Sequence, residues 1–248
     1  MHDPLLERTV HELRQAMQSK ARATPNRSKR SVGLPEAFWP NAKTLRVSFL
    51  GTPDPALRQR IFDIGQQWLA YANLSFLLLD NDQPEADIVI RTDAPQHLNQ
   101  SDYGRYRSDP AGETMTLGVK PSDPDFTAKV LHEFGHALGL YHEHQHPDAA
   151  IRWDYEGLRN HISARFTDAQ RCAPGFDDTL ARLIRQNYEP MTYQPRITLR
   201  YDSRSIMHYP VNRSHAFSEH STTWNQTLSA KDKQFVGMIY PGRYAVDN

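Results

Sequence analysis

Residues 132 to 146 read HEFGHALGLYHEHQH, five histidines and two glutamates in fifteen positions. They close the segment DPDFTAKVLHEFGHALG, 123 to 139, whose acidic start, apolar Phe126, Val130, Leu131, Phe134 and Leu138, and terminal Gly139 predict a helix. His132 and His136 are four residues apart on it, so their imidazoles leave one face, one turn apart. Gly139 is free to take positive φ, so the chain can turn sharply there and bring His142 back toward the same point.

Two neutral imidazoles one turn apart suit a zinc ion, and a third from His142 leaves the fourth position open for water, as a catalytic zinc requires. Glu133 cannot share the histidine face fully but lies beside it, where its carboxylate can hold and deprotonate that water. Any one of these histidines alone would read as a surface residue satisfied by hydrogen bonds; the combination displaces that reading. His144 and His146 lie beyond the turn, where spacing gives no reason to aim them at the ion, and they read as supporting or surface residues. One Zn2+ is the expected cofactor.

Leu6, Val10, Leu13 and Met17 stand at helical spacing within 4 to 21, predicting a short amphipathic helix packed on the body. Residues 22 to 38 turn small, basic and proline-containing, with Arg27, Lys29 and Arg30 close together, which reads as a linker with a boundary near residue 30. LRVSFL (45–50), LSFLLL (74–79), ADIVIR (86–91) and MTLGV (115–119) read as strands. Asp54 followed by Pro55 reads as the cap and first turn of a helix to about Asn73, with Leu57, Ile61, Ile64, Trp68 and Tyr71 on its buried face. The segment 147 to 200 follows no pattern that places it. SAKDKQFVGMIY reads as a closing helix with Ser229 and Asp232 as a capping pair. Strand, helix, then further strands predict an α+β fold, a mixed sheet backed by helices.

Lysine plus arginine equal aspartate plus glutamate at 29 each within 248 residues, and neither sign forms a long block. No extended nucleic-acid or membrane surface is therefore expected, and the chain is long enough to fold alone as a monomer. Cys172 is the only cysteine, which excludes an intrachain disulfide. It reads as a small buried apolar residue, with a thiolate that blocks the zinc as the alternative. The first residues show no signal-peptide run, so the expectation is a protein that stays in the cytoplasm or leaves by a signal-independent route.

The motif HEFGHALGLYHEH, followed by SIMHY at Ser205 to Tyr209, resembles the metzincin metallopeptidases. Within them it is similar to the astacin family in three details: Glu143 after the third histidine, a tyrosine two places after Met207, and WPN at Trp39 to Asn41. The resemblance implies a two-lobed domain over about 31–248, with an upper lobe at about 31–141 and a more irregular lower lobe at about 142–248. Residues 1–30 would be a helical extension or a pro-segment, and a cut after Arg30 would leave an amine to pair with Glu143. The resemblance further implies zinc on His132, His136 and His142, Glu133 as general base and acid, Met207 in a tight turn (the Met-turn) beneath the metal, and Tyr209 as a fifth ligand and oxyanion donor.

These readings lead to a zinc endopeptidase that takes a protein or peptide in extended form, added by backbone hydrogen bonds to MTLGV as an edge strand. The alternatives are a zinc-binding domain that captures a peptide without cutting it, and a hydrolase of non-peptide amides.

Overall fold

The computed structural model describes residues 3–18, 35–110, 112–191, 199–217 and 222–243. The basic run around Arg27 to Arg30 and the cut expected after Arg30 lie outside them. A five-stranded sheet carries the first core: β1 (Thr44–Phe49), β2 (Ser75–Leu78), β3 (Ile88–Arg91), β4 (Asn99–Ser101) and β5 (Met115–Leu117), in the spatial order β2-β1-β3-β5-β4. The first three pairings are parallel, and β4 runs antiparallel to β5.

β5 is therefore an inner strand, and the expectation that MTLGV forms the rim is corrected. Met115, Thr116 and Leu117 are all buried, which suits a strand paired on both sides. The rim on that side is the polar Asn99–Ser101, too short and too polar to show a period in the sequence.

Helices cover the sheet as the apolar spacing requires. The Asp54 carboxylate accepts from the Leu57 amide at 2.9 Å and caps α2 (Pro55–Gln66), which continues as a 3-10 turn to Ala70. Ile61, Ile64 and Trp68 are buried, while Leu57 and Tyr71 are half-buried. Beside α2 packs α3 (Phe126–Ala137), the histidine helix.

A second core lies in the C-terminal half, where α4 (Tyr155–Ser163), α5 (Asp168–Arg171) and α6 (Phe176–Tyr188) occupy a segment from which no helix was expected. The helical period was present in Phe176, Leu180, Leu183, Ile184 and Tyr188, all buried. The N-terminal helix α1 (Pro4–Gln18) completes this core, with Leu5, Leu6, Val10 and Leu13 sealed against α4 and α6. Each such side chain contributes about 1.5–3 kcal/mol of burial.

The closing helix α7 (Ala230–Ile239) has the capping box expected of Ser229 and Asp232. Among the described residues no helix is long and apolar enough to cross a membrane.

Candidate metal centre

α3 ends where Gly139 takes φ +94°, and its amide bonds the His136 carbonyl at 2.7 Å. A side chain there would meet the Phe38 ring at 2.8 Å, so both the turn and the packing select glycine. The chain then reverses, and the Glu143 amide donates to the Met207 carbonyl at 3.0 Å, which seats His142 against the Ser205–Tyr209 segment.

As a result the ligand atoms of His132, His136 and His142 lie within 4.8 Å of one another, all three residues buried. His136 and His142 bring their Nε2 atoms to 3.0 Å. His132 Nδ1 donates to the Ile206 carbonyl (2.9 Å) and His136 Nδ1 to that of Leu140 (2.7 Å), which leaves both Nε2 lone pairs facing inward. Burial holds two of the rings neutral, with His132 lowered to about 4 and His142 well below its ordinary value. Neutral imidazoles are the form that binds metal.

The donors fit a metal on a further count. His132 Nε2 and Glu133 Oε2 are buried with no hydrogen-bond partner, a costly arrangement unless an ion and its water complete it. Burial also raises the Glu133 carboxyl to about 8.

Met207 is buried against Gly135, near Trp68, whose indole donates to the Leu131 carbonyl at 3.0 Å. Asp232 clamps this turn, accepting from Ser205 Oγ at 2.6 Å and from the Ile206 amide at 2.8 Å. The sequence marked Asp232 only as a helix cap, and nothing in its spacing announced this second duty. A methyl group on Gly135 would stand 2.3 Å from Met207 Sδ and 3.1 Å from Trp68. Gly135→Ala is expected to cost about 1–3 kcal/mol by overpacking, read as a lower urea midpoint of the metal-stripped chain. An unchanged midpoint would mean that Met207 moves aside freely.

Tyr209 is buried with its ring 5.1 Å from that of His132 and 4.7 Å from that of His142, and burial raises its phenol to about 12. Glu143 accepts from the Asp202 amide at 2.8 Å, and burial raises its carboxyl to about 8. His144 and His146 are buried outside the ligand cluster, the ring of His144 lying 5.3 Å from that of His142. Their Nε2 atoms bond the carbonyls of Asn187 (2.8 Å) and Leu199 (2.9 Å), a supporting role for both. Cys172 is exposed at the end of α5, outside the imidazole cluster, so neither the buried nor the zinc-blocking reading describes it.

Two residues at the centre had no signal in the sequence. Arg8 of α1 brings Nη1 to 3.4 Å from His142 Nε2 and bonds Glu12 at 3.1 Å. Burial lowers its pKa, but Glu12 and the phenols of Tyr209 and Tyr103 outweigh that, so the guanidinium stays charged. Tyr103, just past β4, lays its ring against His136, and burial raises its phenol too. Pro4 and Arg8 of α1 face His97 and Asn99 near the β4 rim and Glu133, Tyr209 and Trp224 across one cleft.

No family profile matches the chain. It is 26% identical over 227 residues to zinc metalloproteinase dpy-31 of Brugia malayi, covering 91% of this chain and 32% of that protein. With zinc metalloproteinase nas-30 of Caenorhabditis elegans it shares 32% identity over 113 residues, 44% of this chain and 12% of that one. The chain thus spans a third or less of the length of these relatives. Among solved structures, myroilysin superposes with a TM-score of 0.68 at 27% identity, covering 86% of this chain and 99% of myroilysin. The hatching enzyme HCE-1, a zinc-protease from Oryzias latipes, shares the fold at a TM-score of 0.56 and 15% identity over 85% of this chain and 97% of its own. The zinc motif, the ligand geometry and these likenesses agree, and the chain is similar to the astacin-like zinc metalloproteinases in sequence, fold and metal site.

Proposed function

We propose that the chain is a zinc-dependent endopeptidase that hydrolyses peptide bonds in proteins or peptides. The observation that carries this reading is the convergence of three buried imidazoles beside the buried, unpartnered carboxyl oxygen of Glu133. Zinc held by His132, His136 and His142 would supply a Lewis acid that polarises the substrate carbonyl and acidifies a water at neutral pH.

Glu133 takes the proton from that water and hands it to the leaving amine. A carboxyl raised to about 8 can both accept and release a proton near neutral pH. Tyr209 is the candidate fifth contact of the resting metal, and its protonated phenol donates to the carbonyl oxygen as charge develops there. Met207 floors the site in the manner of a Met-turn, held by the Ser205–Asp232 bonds. An extended substrate adds to the β4 rim, which has no strand on its outer side among the described residues, so backbone bonds register the peptide.

The position of α1 across the cleft supports residues 1–30 as a pro-segment on a catalytic domain of 31–248. Because Leu5, Leu6, Val10 and Leu13 are sealed in the second core, a cut after Arg30 alone would leave α1 docked. An amine freed at residue 31 would find the buried Glu143 carboxyl as its partner.

The test is a mixed peptide library exposed to the zinc-loaded chain and to the same chain after chelation, with products read by mass spectrometry. Internal cuts that vanish on chelation and return with zinc are expected. A zinc-loaded chain that cuts nothing, with α1 removed from the cleft as well as with it present, would sink the reading.

A further inference from the structure

We infer that Tyr103 is a second catalytic phenol, whose hydroxyl donates to the carbonyl oxygen of the scissile peptide from the β4 side of the cleft, across from Tyr209. The inference rests on the peptidase reading above and adds to it a residue that neither the zinc motif nor the Met207 segment contains.

The ring of Tyr103 is held on both sides. Its centroid lies 4.8 Å from that of His136, nearly edge-on at 74°, and 4.2 Å from that of Tyr141, stacked at 14°. The amide of the next residue, Gly104, donates to the His136 carbonyl at 2.9 Å, tying this loop to the helix that carries two of the three imidazoles. A ring fixed in this way presents its hydroxyl at a set position.

That position is marked by Arg8. Its guanidinium lies close enough to both Tyr103 and Tyr209 to draw their phenols toward ionisation, and reaches to 3.4 Å from His142 Nε2. Both phenols also lie close enough to Glu133 to feel its charge. Two phenols therefore lie near one cation, beside the imidazoles and the general base. Toward a carbonyl a phenol hydroxyl donates, since it carries one proton and two lone pairs.

As the water oxygen bonds to the carbonyl carbon, the C=O electron pair moves to oxygen. Donors already aimed at that oxygen lower the barrier without reorganisation. Tyr209 comes from the lower lobe and Tyr103 from the upper, so the oxygen is held from both sides only when the cleft is assembled.

Tyr103→Phe removes the hydroxyl and keeps the ring on His136 and Tyr141. It is compared with Tyr103 in full-length zinc-loaded chains that both carry Arg8→Ala, so that the neighbouring Arg8 charge does not enter. Three quantities are read: the Kd of acetohydroxamate, a small oxygen ligand; zinc affinity by chelator competition; and kcat and KM on a cut peptide. The expected result is about tenfold weaker hydroxamate binding, a kcat lower by about 100-fold with little change in KM, and unaltered zinc affinity.

Unchanged hydroxamate binding and kcat would overturn the inference while leaving the peptidase reading intact. So would a parallel loss of zinc affinity, which would make Tyr103 a prop for His136. If hydroxamate binding weakens but neither chain cuts any peptide, the peptidase reading fails and Tyr103 stands as a donor at the metal site.

Discussion

Glu133→Gln is expected to keep zinc and to lower peptide cleavage by about 10²–10⁴-fold, the range lost with a general acid–base group. The glutamine fills the same space, and the three ligand nitrogens, each set by its own contacts, are left in place. What disappears is the carboxyl that takes a proton from water and returns it to the leaving amine. Glu133 is almost fully buried, with one oxygen unpartnered. Zinc content by atomic absorption, measured beside kcat/KM, separates the possible losses. Retained zinc with retained cutting would remove Glu133 from the mechanism, and lost zinc would recast it as part of the metal's support.

Arg8→Ala is expected to tighten zinc binding by at least about tenfold and to raise cleavage by the full chain in parallel. A guanidinium 3.4 Å from His142 Nε2 places a positive charge beside the position a dication must take. Near a protein surface two unit charges 4 Å apart interact by about 4 kcal/mol, so repulsion of this order is relieved when the guanidinium is removed. The substitution leaves the apolar face of α1 in its core, so the helix stays docked and only the charge changes. Chelator competition gives the zinc affinity, and Arg8→Lys serves as a control because it retains the charge. Equal affinities for wild type and Arg8→Ala would mean that α1 and the metal ignore each other.

Much of the fold was legible because it is written in short-range patterns. The four strands other than β4 are largely apolar, and α2, α3 and α7 each begin with a residue whose short side chain, or acidic charge, suits a helix start. α6 has a helical period in Phe176, Leu180, Leu183 and Ile184, interleaved with polar residues in a segment otherwise without pattern. β4 left no such trace. Asn99, Gln100 and Ser101 form a strand only because β5 offers them partners, and a pairing of three polar residues has no hydrophobic period to betray it. The reading of MTLGV as the rim followed from that silence.

By itself the sequence determined the metal ligands. The spacing of His132 and His136 on one helical turn and the glycine that lets His142 return are local properties, set within eleven residues by backbone geometry. Only the tertiary structure decided what surrounds them. Arg8 and Tyr103 come from α1 and from the loop past β4, and Asp232 reaches the Met207 turn from α7. Contacts between residues so far apart in the chain arise from the packing of whole elements, and side-chain spacing carries no record of which elements will meet.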